Sequence, residues 1–115
     1  MSEQTTTPHV LNLTAEAFQA EVIDDPTPIL LDFWAPWCGP CRIMKPLLAE
    51  AAAMMAGEVR VAQVNVDEEG AIAGAFGVQS IPTLVLMRGG KVVDAVAGVM
   101  QPKALVARVR QKLAG

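Results

Sequence analysis

Cysteine is scarce in this chain, at two residues in 115, and histidine is scarcer, with His9 alone. A lone pair of cysteines does not make the multi-bridge framework of a small secreted protein. Nor does the chain supply a zinc site by itself: Cys38 and Cys41 would need two further ligands, and the only other good one, His9, stands in the N-terminal segment. No apolar run approaches the ~20 residues of a membrane span, although 52% of the residues are hydrophobic. Basic excess is missing too. The net charge is −3 and the pI is near 5.0, which argues against nucleic acid or an anionic membrane as the main partner. Met1 to Val10 is polar and lacks the basic and apolar regions of a signal peptide, so the cytoplasm is the expected address. There is no repeat, linker or break in composition. One domain with a real core is expected, residues 9–115, behind a loose polar tail at 1–8.

What the chain does have is gathered in Trp34-Ala35-Pro36-Trp37-Cys38-Gly39-Pro40-Cys41, which holds both cysteines, both tryptophans and two of the eight prolines. A Cys-x-x-Cys pair that follows a β-like run and opens a helix reads as a dithiol/disulfide redox site. Side chains three apart on a helix are neighbours at about 5–6 Å between Cβ atoms, and a disulfide needs about 3.5–4.5 Å. A small adjustment in the first turn therefore opens or closes the pair. The helix N-terminus, with unpaired N–H groups and a positive dipole end, favours a thiolate. Cys38 at the tip is expected to be the exposed nucleophile and Cys41, one turn in, the shielded resolving thiol. Pro40 suits the first turn, where a missing N–H costs little. Two other readings stay open on these residues. A structural disulfide would close a very short loop and add little chain-entropy stabilisation, and a metal could be bridged between two chains.

The rest of the chain punctuates cleanly. His9 to Leu13 predicts a strand, and Thr14 caps a helix from Ala15 to about Ile23 with Phe18 and Val22 on one face. Ile29 to Trp34 is a nearly continuous apolar run, hence a strand buried on both faces. The spacing predicts a helix from about Cys41 to Ala56, with Ile43, Leu47, Ala51 and Met54 or Met55 inward and Pro46 inside it; Gly57 stops it. Val59 to Val66 is a third strand, and Asp67 is expected to cap a short helix carrying Ile72 and Phe76, ended by Gly77. Thr83 to Met87 and Lys91 to Ala97 form a hairpin around Arg88-Gly89-Gly90. From Pro102 a last helix buries Leu105, Val106, Val109 and Leu113, and its Arg108, Arg110 and Lys112 read as compensation of the helix dipole. The order βαβαβαββα predicts an α/β fold: a mixed central sheet with helices on both faces.

Asp32 is the odd residue of its strand. A carboxylate inside a buried strand is costly unless protonated or hydrogen-bonded, and the plain alternative is a solvated aspartate at an edge.

The Trp-Cys-Gly-Pro-Cys motif and the Ile81-Pro82-Thr83 segment, with this element order from His9 to Leu113, closely resemble the thioredoxin family. The resemblance implies the thioredoxin fold and a thiol–disulfide oxidoreductase. Its Cys38 thiolate would attack a disulfide of a target protein and form a mixed disulfide, which Cys41 would resolve. It further implies that Asp32 moves the proton of Cys41, and that Pro82 is cis, faces the dithiol and shapes the substrate groove. X–Pro bonds are cis in only about 5–6% of cases in folded proteins, so this geometry comes from the resemblance alone. Trp37, Gly39, Pro40, Val66, Ile81, Gly98 and Val99 match the family's flat apolar contact surface. No bound organic cofactor or metal is implied; electrons would come from NADPH through a flavoprotein, thioredoxin reductase, to a monomer. Two residues depart from the pattern. Gln63 stands where many members carry a lysine that pairs with the buried aspartate, and Ser80 stands where a glycine is common; both bear on proton affinity and partner fit. The rivals are a redox-independent protein-binding module using the same surface, and a metal- or cluster-bridged dimer.

Overall fold

β2, Ile29–Trp34, is the hub of the molecule, flanked on one side by β3, Arg60–Asn65, and on the other by β4, Thr83–Arg88. The computed structural model describes residues 9–115, and the expected tail at 1–8 lies outside the described residues. Beyond β3 lies the short β1, Val10–Asn12, and beyond β4 lies β5, Lys91–Ala97, so the strand order is β1-β3-β2-β4-β5. β1 and β2 run parallel to β3, while β4 runs antiparallel to both β2 and β5. This is the mixed sheet and the thioredoxin fold that the sequence predicts.

The sheet alternates between two cores, as a period of two requires. Leu30 of β2, Val61 of β3 and Leu84 and Leu86 of β4 pack with α2, Gly39–Met54, and α4, Pro102–Ala114. Ile29, Leu31 and Phe33, with Ala62, Val64, Val85 and Met87, pack on the opposite face. There they meet α1, Ala15–Phe18, which widens into a π turn over Gln19–Ile23, and α3, Gly70–Ala75. Each fully buried large aliphatic side chain contributes about 1.5–3 kcal/mol. By this alternation Asp32 shares the α2-facing side with Leu30, and its register partner on β3 is Gln63.

The hairpin turns at Gly89 and Gly90, whose φ angles of +60° and +78° suit a two-residue mirror-image turn. A Cβ on Gly90 would also stand 3.3 Å from the carbonyl oxygen of Ile23.

Four local expectations change. α2 begins at Gly39, and its buried stripe is Cys41, Met44, Leu48, Ala51 and Ala52, followed by Met55. Ile43 is 60% exposed, Met54 is exposed and Leu47 is only half-buried. Cys41 faces inward, which fixes the helical phase, and a 3.6-residue period from that position selects Met44 and Leu48. Thr14 occupies the N-cap position of α1 but makes no side-chain cap; Glu69 Oε1 instead accepts from the Ala15 N–H at 3.0 Å. Asp67 does not cap α3, which starts three residues later. The Asn65 side chain accepts from the Asp67 N–H at 2.9 Å, leaving the Asp67 carboxylate free for another role. Finally, the α4 guanidinium groups serve as ion pairs. Arg108 grips Asp94 of β5 at 2.7 and 3.1 Å, and Arg110 grips Glu58, in the turn after α2, at 3.0 and 2.9 Å. Such two-point contacts are the geometry a planar guanidinium favours.

Candidate active site

The strand-to-helix turn after β2 carries the site. Cys38 takes the N-cap position of α2 with extended backbone, and Gly39 and Pro40 form the first helical positions. An N-cap side chain normally satisfies an orphan N–H of the first turn. Here Cys38 Sγ does so, accepting from the Cys41 N–H at 3.2 Å. The two cysteines are joined as a disulfide with their Cα atoms 5.3 Å apart. The loop is held by Cys38 N–H to Ala35 O at 3.1 Å, and by Arg42, which reaches back with Nε and Nη2 to Pro36 O at 3.2 and 3.0 Å.

Both cysteines are buried, at 5% exposure for Cys38 and 3% for Cys41. The expected exposure of Cys38 is therefore not met in the disulfide form. The bond draws its sulfur against Cys41, and Ala35, Trp34, Val66 and Ile81 pack around the pair.

Opposite the disulfide lies the Ile81–Pro82 segment, whose peptide bond is cis. Cys38 Sγ stands 3.8 Å from the Ile81 carbonyl oxygen. Pro82 is buried, and its carbonyl accepts from the Gly98 N–H at 2.8 Å, which brings Gly98 and the exposed Val99 beside it. Trp37, 66% exposed, forms the outer wall. With Val66, Ala73, Val78 and Ile81 it lines an open apolar hollow of about 190 Å³. Ser80 lies at the rim of that hollow, and its carbonyl accepts from Thr83 Oγ1 at 2.6 Å.

Beneath the helix, Asp32 is 2% exposed. It lines a cavity of about 220 Å³ together with Trp34, Pro36, Cys41, Arg42, Lys45 and Gln63. Its Oδ1 has no hydrogen-bond partner among the described residues. Burial pushes its carboxyl from the ordinary 3.8 up to about 7, since desolvation disfavours the anion. Gln63 lies abreast of it but turns its Nε2 to Asn12 Oδ1 at 2.8 Å.

Three residues to which the sequence assigned no part in the site shape it. Asp67 Oδ2 accepts from the Trp37 indole N–H at 2.9 Å and so sets the outer wall. Arg42 ties the loop to the helix, and Lys45 places its ammonium 5.4 Å above the centre of the Trp34 ring. A carboxylate at the exit of an apolar strand and two cations following the second cysteine were the available signals. His9 stands at the far end of β1, in a hollow with Glu21 and Arg60 away from the disulfide. Among the described residues no group of three or more His, Cys, Asp or Glu could hold a metal ion, and no helix is long and apolar enough to cross a membrane.

A disulfide that can open at a helix N-terminus, over a buried acid and beside an apolar groove, defines a dithiol–disulfide exchange protein. The sequence profile of the thioredoxin family matches residues 9–111. Thioredoxin 1 of Nostoc sp. is 43% identical over 100 residues, covering 87% of this chain and 92% of the relative. Thioredoxin of Haemophilus influenzae is 42% identical over 104 residues, covering 90% and 97%, and thioredoxin of Rickettsia felis is 38% identical over 95 residues, covering 83% and 90%. The chain belongs to the thioredoxin family. It is a thiol–disulfide oxidoreductase that reduces disulfides of target proteins through Cys38 and Cys41, and its partners are, in general terms, disulfide-containing proteins and a reductase.

Proposed function

We propose the following division of labour within that reaction. Cys38 is the nucleophile, Cys41 the resolving thiol and Asp32 the group that moves the Cys41 proton. The observation that carries this reading is the placement of the pair: Cys38 at the N-cap, against the Ile81 carbonyl, and Cys41 inward on the cavity that holds Asp32. Reduction begins when the Cys38 thiolate attacks one sulfur of the target disulfide and the other leaves as a thiolate, which takes a proton from water. Asp32 then accepts the Cys41 proton, directly or through water in the cavity, and the Cys41 thiolate displaces the target from Cys38. The products are a reduced target and the Cys38–Cys41 disulfide.

Trp37, Val66, Ile81, Gly98 and Val99 form the surface on which an extended segment of the target lies, with Gly39 and Pro40 at its edge. Pro82 shapes the groove, and the Ile81 backbone pairs with the target in the manner of an added strand. Residues 9–115 act as one unit, a cytoplasmic monomer with no bound cofactor. It is recharged by thioredoxin reductase with electrons from NADPH.

Brief alkylation of the reduced protein at neutral pH, read by mass spectrometry, tests the assignment. Cys38 is expected to label first, because the open helix end favours its thiolate; preferential labelling of Cys41 would reverse the roles. Turnover of insulin disulfides in a coupled assay with NADPH and the reductase tests the electron source, and no NADPH consumption would refute it.

A further inference from the structure

Asp32 shares its cavity with two cations, and both come from α2. Arg42 is committed, its Nε and Nη2 donating to Pro36 O. Lys45 has no such tether among the described residues. Its ammonium rests 5.4 Å over the centre of the Trp34 ring, at the cavity wall, an attraction worth little at a partly exposed site. Among the described residues the other elements around Asp32 bring no charge to it. β3 presents Gln63, whose amide is engaged by Asn12, and β4 presents Leu84 in register. Glu68 and Glu69 lie in a neighbouring cleft on Trp34 and Gln63, with Glu69 Oε1 taken by the Ala15 N–H. Cys41 is the remaining titratable group on the cavity once the disulfide opens. Lysine is a compact charge on a flexible four-carbon stem, and about 220 Å³ is ample for an ammonium with water.

We propose that Lys45 is the positioning residue for proton transfer at this site: its ammonium swings from the Trp34 ring across the cavity to stabilise the ionised Asp32 carboxylate that receives the Cys41 proton. This rests on the reading of Asp32 as the base. In the step itself the Cys41 S–H bond breaks and the proton passes to an Asp32 oxygen. The electron pair left on sulfur forms the bond to Cys38 Sγ, and the target sulfur leaves with the pair of the broken mixed disulfide. Asp32 must be ionised beforehand, which is the state a nearby cation favours. Once Asp32 is neutral the ammonium is no longer held, and the proton leaves through the cavity to water. The cation that β3 lacks at Gln63 is thereby delivered from the helix.

The test is titration of the Asp32 carboxyl carbon by NMR in the oxidised protein at low salt, in wild type, Lys45→Met and Lys45→Arg. Methionine keeps the apolar stem on Trp34 and removes only the charge. Lys45→Met is expected to raise the Asp32 midpoint by about half to one pH unit, and Lys45→Arg to stay within about 0.2 unit of wild type. The pH profile for release of target from the Cys38 mixed disulfide should move upward by the same amount in Lys45→Met, and the shift should vanish in an Asp32→Asn background. An unchanged midpoint in Lys45→Met, or an equal rise in Lys45→Arg, would overturn the role of Lys45 alone. An Asp32→Asn protein with the wild-type profile would remove the base itself, and the proposal with it.

Discussion

Asp32 and Gln63 lie side by side on β2 and β3, yet they do not pair: the Gln63 amide is spent on Asn12, and Asp32 Oδ1 has no partner among the described residues. The carboxyl is therefore governed by burial, which raises its pKa from 3.8 to about 7. A raised folded pKa means that the folded state keeps a proton the unfolded chain has lost. Asp32 thus weakens the fold progressively as pH climbs from about 4 to about 7, and by a constant amount above that. A gap of about three pKa units, at about 1.4 kcal/mol each, puts that amount near 4 kcal/mol. Asp32→Asn is expected to be more stable than wild type by a few kcal/mol at about pH 8, with the electrostatic difference gone near pH 3, while it reduces disulfides more slowly. Urea melts at both pH values check the first half, and insulin turnover the second. Equal stability of the two proteins at pH 8 would contradict the burial argument.

The phase of α2 makes a second pair of outcomes. Met44 is fully buried between the helix and the sheet, whereas Ile43 is 60% exposed. Met44→Ala should cost about 2–5 kcal/mol, and Ile43→Ala should stay within about 0.5 kcal/mol. Urea midpoints of the two variants measure both. A larger loss at Ile43 would mean that the helix is rotated from the orientation described.

Most of this fold was legible in the sequence because its signals are strong and local. The nearly continuous apolar run Ile29–Trp34, the Gly89-Gly90 turn and the Pro102 helix start each specify an element without help from distant residues. The phase of α2 was not legible. Ile43, Met44, Leu47 and Leu48 allow two apolar stripes, and only the inward-facing Cys41 selects between them. The same limit applies at the site. The motif marked Cys38 and Cys41, but Asp67 reached Trp37, and Glu69 reached Ala15, across long stretches of chain that carry no periodic signal.

The Trp37–Asp67 contact yields a third expectation. A hydrogen bond from the indole to a carboxylate, at 2.9 Å, holds a ring that is otherwise two-thirds exposed. Asp67→Ala frees the ring and should raise KM for a protein disulfide roughly two- to five-fold with little change in kcat, since target contact and not the exchange chemistry is loosened. Asp67→Asn should recover most of the loss. Steady-state kinetics with insulin measure the split, and a fall in kcat at constant KM would move Asp67 from target contact to the chemistry.

The central claim is that targets pass through a covalent bond to Cys38 that Cys41 resolves. Trapping tests it most directly. Reduced Cys41→Ser protein, incubated with a disulfide-containing target and resolved without reductant, is expected to accumulate a mixed disulfide. Mass spectrometry should place the bond at Cys38, and adding dithiothreitol should release the target. Cys38→Ser under the same conditions should trap little. Absence of the Cys38 adduct, or an equal yield with Cys38→Ser, would contradict the mechanism.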